Sequence, residues 1–272
     1  GFAVAERYLG SLLGEDVINH FTYGIVSDGD LMEGISFEAA ELAAVWKLGK
    51  IIYFFDDNNI SIDGSVDKVS ITNQKEKFES IGWHVLEIDG HSEKEIIKSV
   101  EKGRKVEDKP TLIIAKSTIG KFAPNKENTS GVHGSPLGSD EMNKFLMNLD
   151  WNGDPFLHSD DIYDYFKEKR EKDNEELRKW EENFKNKYQE DAAFKDNWDL
   201  LTSEDFPSLD RVSGEKYASR ILGSKILENL SESTNSIIGG SADLAASTKQ
   251  IIDESYFSST NHNARSLEFG IR

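Results

Sequence analysis

Lys50-Ile51-Ile52-Tyr53-Phe54-Phe55 is an apolar run closed by Asp56-Asp57-Asn58-Asn59. A short run of aromatic and β-branched residues, with no polar alternation, suits a strand buried on both faces. On its N-terminal side, Ile35 to Leu48 places Phe37, Leu42, Val45 and Trp46 at helical spacing and ends at Gly49, a helix stop. Before that helix, Phe21 to Ser27 reads as another strand, broken by Asp28-Gly29-Asp30. On the C-terminal side come a helix around Lys75 to Ser80 and a strand from Trp83 to Ile88. A helix over 93–103 follows, and past Pro110 a strand from Thr111 to Ala115. Strands alternating with helices predict an α/β fold, a parallel sheet with helices on both faces.

Charge narrows the partners. Lys and Arg total 32 against 50 Asp and Glu, a formal net charge of -18. No nucleic acid and no membrane is expected as a partner, because each asks for a basic face. A phosphate substrate would need a few local groups acting against the overall field. The absence of cysteine excludes disulfides, thiolate metal sites and cysteine nucleophiles. No apolar run nears membrane-spanning length, and Gly1-Phe2-Ala3-Val4-Ala5-Glu6-Arg7-Tyr8-Leu9 lacks the basic-then-apolar order of a signal peptide. A cytoplasmic protein whose chain begins inside a helix is the expectation.

Residues 118–138 form a loop rich in Gly, Pro, Asn and Ser, and loops of that length are commonly functional or disordered. From about 160 to 198 the chain is densely charged with aromatics interspersed, which reads as one or two solvent-exposed helices bridging domains. Near Gly214 an amphipathic helix begins and runs through Leu230. A strand from Ser236 to Ile238 then leads into Gly239-Gly240-Ser241. The expected division is a ligand-binding α/β domain over 1–150, a charged helical connector over 151–211 and the start of a second α/β domain over 212–272.

The chemistry concentrates in two clusters, Asp28-Gly29-Asp30 and Asp57-Asn58-Asn59-Ile60, each directly after a predicted parallel strand. In an open α/β sheet the carboxyl ends of neighbouring strands face one crevice, where ligands bind. A carboxylate and an amide oxygen there are hard ligands suited to Mg²⁺ or Ca²⁺. Mg²⁺ prefers a few protein oxygens plus phosphate and water, so a diphosphate could complete the shell. Gly29 would let the backbone approach a phosphate, and the helix opening near Gly34-Ile35 would aim its amides the same way.

These residues resemble a known family. Ser27-Asp28-Gly29-Asp30-Leu31-Met32-Glu33-Gly34, with Asp56-Asp57-Asn58-Asn59-Ile60-Ser61-Ile62-Asp63-Gly64, is similar to the thiamine-diphosphate motif of transketolases. That motif opens Gly-Asp-Gly; here Ser27 takes the first position and no ligand is lost. Trp83-His84, Ile88-Asp89-Gly90-His91, Lys116 to Gly120 and Ser130 to Gly138 resemble transketolase segments in the same order. So do Ala218-Ser219-Arg220, Gly239-Gly240-Ser241-Ala242-Asp243-Leu244 and Phe269-Gly270-Ile271-Arg272, while 140–212 matches loosely.

The resemblance implies a thiamine-diphosphate-binding fold. Its diphosphate-binding domain would occupy 1–150, and its pyrimidine-binding domain would begin at 212. It implies that Asp28, Asn58 and the Ile60 carbonyl hold Mg²⁺, Ca²⁺ or Mn²⁺, and that Gly29 and Asn58 touch the diphosphate. Ile119 would line the cofactor pocket, and His133 would lie between cofactor and substrate as a catalytic group. Glu33 would join a carboxylate network at a homodimer interface, and Asp243 would sit near cofactor and substrate. Arg220 and Ser247 would grip the substrate's terminal phosphate. On residue chemistry alone, His133 is equally an exposed loop histidine, Arg220 a solvated charge, Ser247 a helix cap and Glu33 a first-turn acid.

The implied reaction moves a two-carbon ketol unit between sugar phosphates of the pentose phosphate pathway. In this family the glutamate that activates the cofactor directly follows the Gly-Ile-Arg ending here at Arg272, and a segment precedes Gly1. Residues 1–272 alone are therefore expected to be inactive. Dihydroxyacetone synthase shares much of the pattern; deoxyxylulose-phosphate synthase fits less well over Asp56 to Gly64 and around Ser247. A Mg²⁺-phosphate-binding α/β protein without thiamine chemistry would explain the strand-end acids but not Gly240-Ser241-Ala242-Asp243. An acidic interaction protein built on 160–198 would leave the loop motifs unexplained.

Overall fold

A computed structural model of the chain describes residues 1–154, 156–203 and 216–272. By compactness the chain separates into two units, residues 21–174 and a second made of 1–20 with 175–272.

The first unit is organised by four parallel strands: β1 (Thr22–Val26), β2 (Ile51–Asp57), β5 (His84–Asp89) and β6 (Thr111–Lys116), in the order β1-β2-β6-β5. The apolar run Ile51 to Phe55 lies in β2, one of the two inner strands. Ile52, Leu112 and Ile113 are fully buried and Phe55 nearly so, while Ile25 on edge strand β1 is 80% exposed. A small hairpin, β3 (Ile60–Ser61) with β4 (Gly64–Ser65), follows β2.

Helices cover both faces of this sheet. Helix α5 (Glu93–Gly103) ends against the side of Ile52 and Thr111, where a Cβ at Gly103 would crowd both side chains at 3.2 Å. The next residue, Tyr53, points the other way, toward Trp83, whose indole N–H donates to the Ala40 carbonyl at 2.8 Å. Ala40 lies on α3 (Gly34–Val45), and Phe78 of α4 (Gln74–Ser80) meets Trp83 edge-on at 5.2 Å. Thus α3 and α4 lie opposite α5.

Asp28-Gly29-Asp30 does more than end a strand: it opens a short helix, α2 (Asp28–Met32). The Ser27 hydroxyl accepts the Asp30 N–H while the Asp30 carboxylate accepts the Ser27 N–H at 2.7 Å, a reciprocal cap that a small hydroxyl residue makes possible. The loop 118–138 contains one 3₁₀ turn (Ser130–Val132) before α6 (Ser139–Asn148).

In the second unit, α1 (Phe2–Leu13) packs with α8 (Ala192–Thr202) and the end of the long helix α7 (Asp160–Glu190). Helix α7 buries none of its residues fully, as its charge predicts, but its last turns are not a solvated bridge. Phe184 and Tyr188 pack against a core of Leu13, Val17 and Phe194, and Trp180 donates its indole N–H to the Val17 carbonyl at 2.9 Å.

The helix expected near Gly214 begins at Ser219 in α9 (Ser219–Ser233); Gly214 and the boundary expected at 212 lie outside the described residues. The strand expected over Ser236 to Ile238 forms three residues later, as β7 (Gly239–Ser241) paired with β8 (Ser266–Glu268). The shift has a steric cause. A Cβ at position 240 would overlap the Leu267 backbone carbonyl, so the glycine pair belongs inside the pairing rather than in a turn after it. Helix α10 (Ala245–Thr248) follows β7.

Candidate active site

Because β1, β2, β5 and β6 are parallel, the residues that follow them converge on one edge of the sheet. Those residues are Ser27 to Gly29, Asn58 to Ile60, Gly90-His91 and Ser117 to Ile119. Asp28 is buried although it follows an exposed-edge strand. Helix α2 packs against β2 and β3, and the Asn59 backbone N–H reaches the Asp28 carboxylate. Asn59 makes that turn in the left-handed region, φ 58°, which asparagine tolerates better than most residues.

Burial, then the neighbouring Asp57 and Asp56 carboxylates, push Asp28 up to about 6, against the opposing pull of Lys116 and the Asn59 N–H. Around Asp28 the acids are individually anchored. Lys116 pairs with Asp57, and the Ser117 hydroxyl donates to Asp56. The second Asp56 oxygen accepts the Asn58 side-chain N–H at 2.9 Å, and the Asn58 oxygen accepts the Ile60 N–H at 2.9 Å. This orientation matters: Asp56 fixes which end of the Asn58 amide is nitrogen, leaving the oxygen, with a second lone pair, as the only end able to ligate a cation.

These residues fit a divalent cation. The donors are hard oxygens, and three carboxylates crowd one place where repulsion already raises the buried one. A Cβ added at Gly29 would meet only the Ser27 hydroxyl, at 3.8 Å, so the backbone stays open to a bulky anionic group. Among the described residues no set of three His, Cys, Asp or Glu forms a metal cluster; the candidate ligands here are a carboxylate, an amide and a carbonyl.

Farther along this edge, Ile119 is half-buried and its carbonyl accepts the Asn128 N–H at 2.9 Å. Gly120, at φ 62°, turns the chain against the Val132 side chain, and half-buried His133 follows directly. Glu33 is exposed at the N-cap of α3 and makes no side-chain cap bond there.

The remaining candidates belong to the second unit. Arg220 is exposed near the start of α9, and Ser247 is exposed on α10. Asp243 sits in the left-handed region, φ 60°, on the turn after β7, where the Ser241 hydroxyl accepts the Leu244 N–H at 3.1 Å. It lines a cavity of roughly 380 Å³ with Tyr256, Leu267, Glu268 and Gly270. Sequence reasoning overlooked Asp56, Lys116 and Ser117 as supports. The doubled acid before Asn58 was the available signal.

A family model described as "Transketolase, thiamine diphosphate binding domain" matches residues 1–207. The chain belongs to the transketolase family. It is 37% identical over 287 residues to transketolase from Bacillus subtilis (strain 168), covering 100% of this chain and 43% of that protein. To transketolase from Nostoc sp. it is 36% identical over 290 residues, covering 100% and 42%. Among solved structures, transketolase from Campylobacter jejuni superposes with a TM-score of 0.87 at 35% identity, covering 100% of this chain and 42% of that one. A Pichia stipitis transketolase mutant in complex with fructose-6-phosphate superposes with a TM-score of 0.90 at 27% identity, covering 99% and 43%. This member of the transketolase family thus spans about two fifths of the length of the relatives it matches. The α/β thiamine-diphosphate-binding fold expected from the sequence is the fold observed.

Proposed function

We propose that this chain is the diphosphate-binding part of a transketolase that moves a two-carbon ketol unit from a ketose phosphate to an aldose phosphate. The setting proposed is the pentose phosphate pathway, in the cytoplasm, with Mg²⁺ as the metal and Ca²⁺ or Mn²⁺ as substitutes. The single observation that carries the reading is the convergence of the Asp28 and Asn58 loops at one sheet edge, within the domain matched to the family.

In this reading, thiamine diphosphate when bound supplies the electron sink for breaking a ketose carbon–carbon bond. The chain's residues position and polarise. Asp28, the Asn58 amide oxygen and the Ile60 carbonyl hold the cation, and Gly29 with Asn58 receives the diphosphate. Ile119 covers an apolar wall and excludes water. His133 would hold or hand over a proton at the substrate carbonyl. Asp243 contacts cofactor and substrate, and Arg220 with Ser247 binds the terminal phosphate through charge-assisted hydrogen bonds. Glu33 belongs to the interface of a homodimer. The functional boundaries proposed remain 1–150, 151–211 and 212–272. Because the chain spans only part of its relatives, residues 1–272 alone are predicted to be inactive.

Calorimetric titration with thiamine diphosphate and Mg²⁺ tests the reading. Asp28→Ala and Asn58→Ala should each weaken binding at least tenfold, about 1.4 kcal/mol. Wild-type affinity in both variants would overturn it.

A further inference from the structure

His91 lies at the same sheet edge, just past the end of β5. The turn Asp89-Gly90-His91 closes β5 and lies tight on the end of β6: the Gly90 N–H donates to the Lys116 carbonyl at 2.7 Å. A Cβ at Gly90 would stand 2.9 Å from that same carbonyl oxygen, so only glycine allows this approach. The Asp89 carboxylate accepts the His91 N–H at 2.9 Å and sets the side chain's starting point. From there the His91 ring reaches across to the neighbouring strand, and its Nε2 accepts the Thr118 backbone N–H at 2.9 Å.

Thr118 is the second residue past the end of β6, where no strand pairs with it. Ser117, before it, is tied to the end of β2: its N–H donates to the Asp57 carbonyl at 3.1 Å and its hydroxyl to Asp56. Ile119, after it, is the residue proposed to line the cofactor pocket, and Gly120 carries the chain onto Val132, next to His133. The segment leaving the sheet is therefore pinned on one side by β2 and on the other by His91.

We propose that His91 is a positioning residue, a hydrogen-bond acceptor that holds Thr118 so that Ile119 and Gly120 present a preformed wall to the cofactor. This rests on the thiamine-diphosphate reading above. The imidazole is exposed, so water competes for Thr118 and the effect is one of order rather than of folding.

The test compares His91→Gln with His91→Asn in the full chain. The Gln side-chain oxygen stands as many bonds from Cα as Nε2 does and can accept the same N–H; the Asn oxygen stops one bond short. Two readouts are used: hydrogen exchange of the Thr118 amide without cofactor, and the dissociation constant for thiamine diphosphate with Mg²⁺. His91→Asn should speed Thr118 exchange and weaken binding, each by about fivefold, the worth of one hydrogen bond near 1 kcal/mol. His91→Gln should hold both within about twofold of wild type. Equal behaviour of the two variants, or faster exchange with unchanged affinity, overturns the proposal. Failure of the wild-type protein to bind the cofactor would instead sink the functional reading, and the exchange arm would still judge the clamp.

Discussion

The Asn58 side-chain amide donates to the Asp56 carboxylate at 2.9 Å, so the residue proposed to ligate a cation is aimed by an acid two positions before it. Groups that orient a ligand commonly matter nearly as much as the ligand itself.

Asp56→Ala should therefore weaken Mg²⁺-dependent binding of thiamine diphosphate by about tenfold to a hundredfold, although Asp56 is not among the proposed ligands. Asp67→Ala, which loses the surface bonds from Asn59 and Ser65, should leave binding unchanged. Calorimetry on the two variants decides between a specific orienting role and a general need for negative charge.

Asp28 makes stability depend on pH in an unusual direction. Its folded value, about 6, lies above the ordinary aspartate value of 3.8, so between those two pH values the folded chain binds more protons than the unfolded one. Stability contributed at this site is present at low pH and is lost as pH rises through about 6. In chelator-treated protein, Asp28→Asn should be the more stable form above that pH, and the difference should vanish below about 4. Urea unfolding across the pH range reads this out; a constant difference between the two proteins would contradict it.

Gly240→Ala should destabilise the second unit by roughly 3 kcal/mol, because the new methyl group meets the Leu267 backbone and not a side chain that could swing away. Thermal unfolding should detect it. Gly29→Ala, with open space around it, should change the stability of the metal-free protein by less than about 1 kcal/mol.

Phe184 tests whether the end of the charged helix is a packed element. It meets Trp198 edge-on at 4.6 Å and also packs on Trp180, Tyr188 and Phe194. Phe184→Ala should cost about 3 kcal/mol, whereas Lys169→Ala, which breaks one exposed helical ion pair, should cost less than about 0.5 kcal/mol. Equal, small losses would return α7 to the role of a solvated bridge.

Some of this was fixed by the order of residues alone. Ile51 to Phe55 suits a buried strand, because it is a short, uncharged, β-rich run set between a helix stop and an acidic turn. The alternation of such runs with helical spacing required parallel neighbours, and parallel neighbours put the Asp28 and Asn58 loops at a common edge. What only the tertiary structure decided were relationships across long sequence separations. The Lys116–Asp57 pair, the Ser117–Asp56 bond, the reach of His91 to Thr118 and the close approach of Gly240 to Leu267 all depend on strand order, and order is set by how helices cover both faces of the sheet. The aromatic face of α7 was hidden for a related reason: Phe184 and Tyr188 are apolar residues in a charged helix until α1 and α8 come together to bury them. Local sequence sets periodicity and chemistry; which side chains then meet is set by packing, a property of the whole chain.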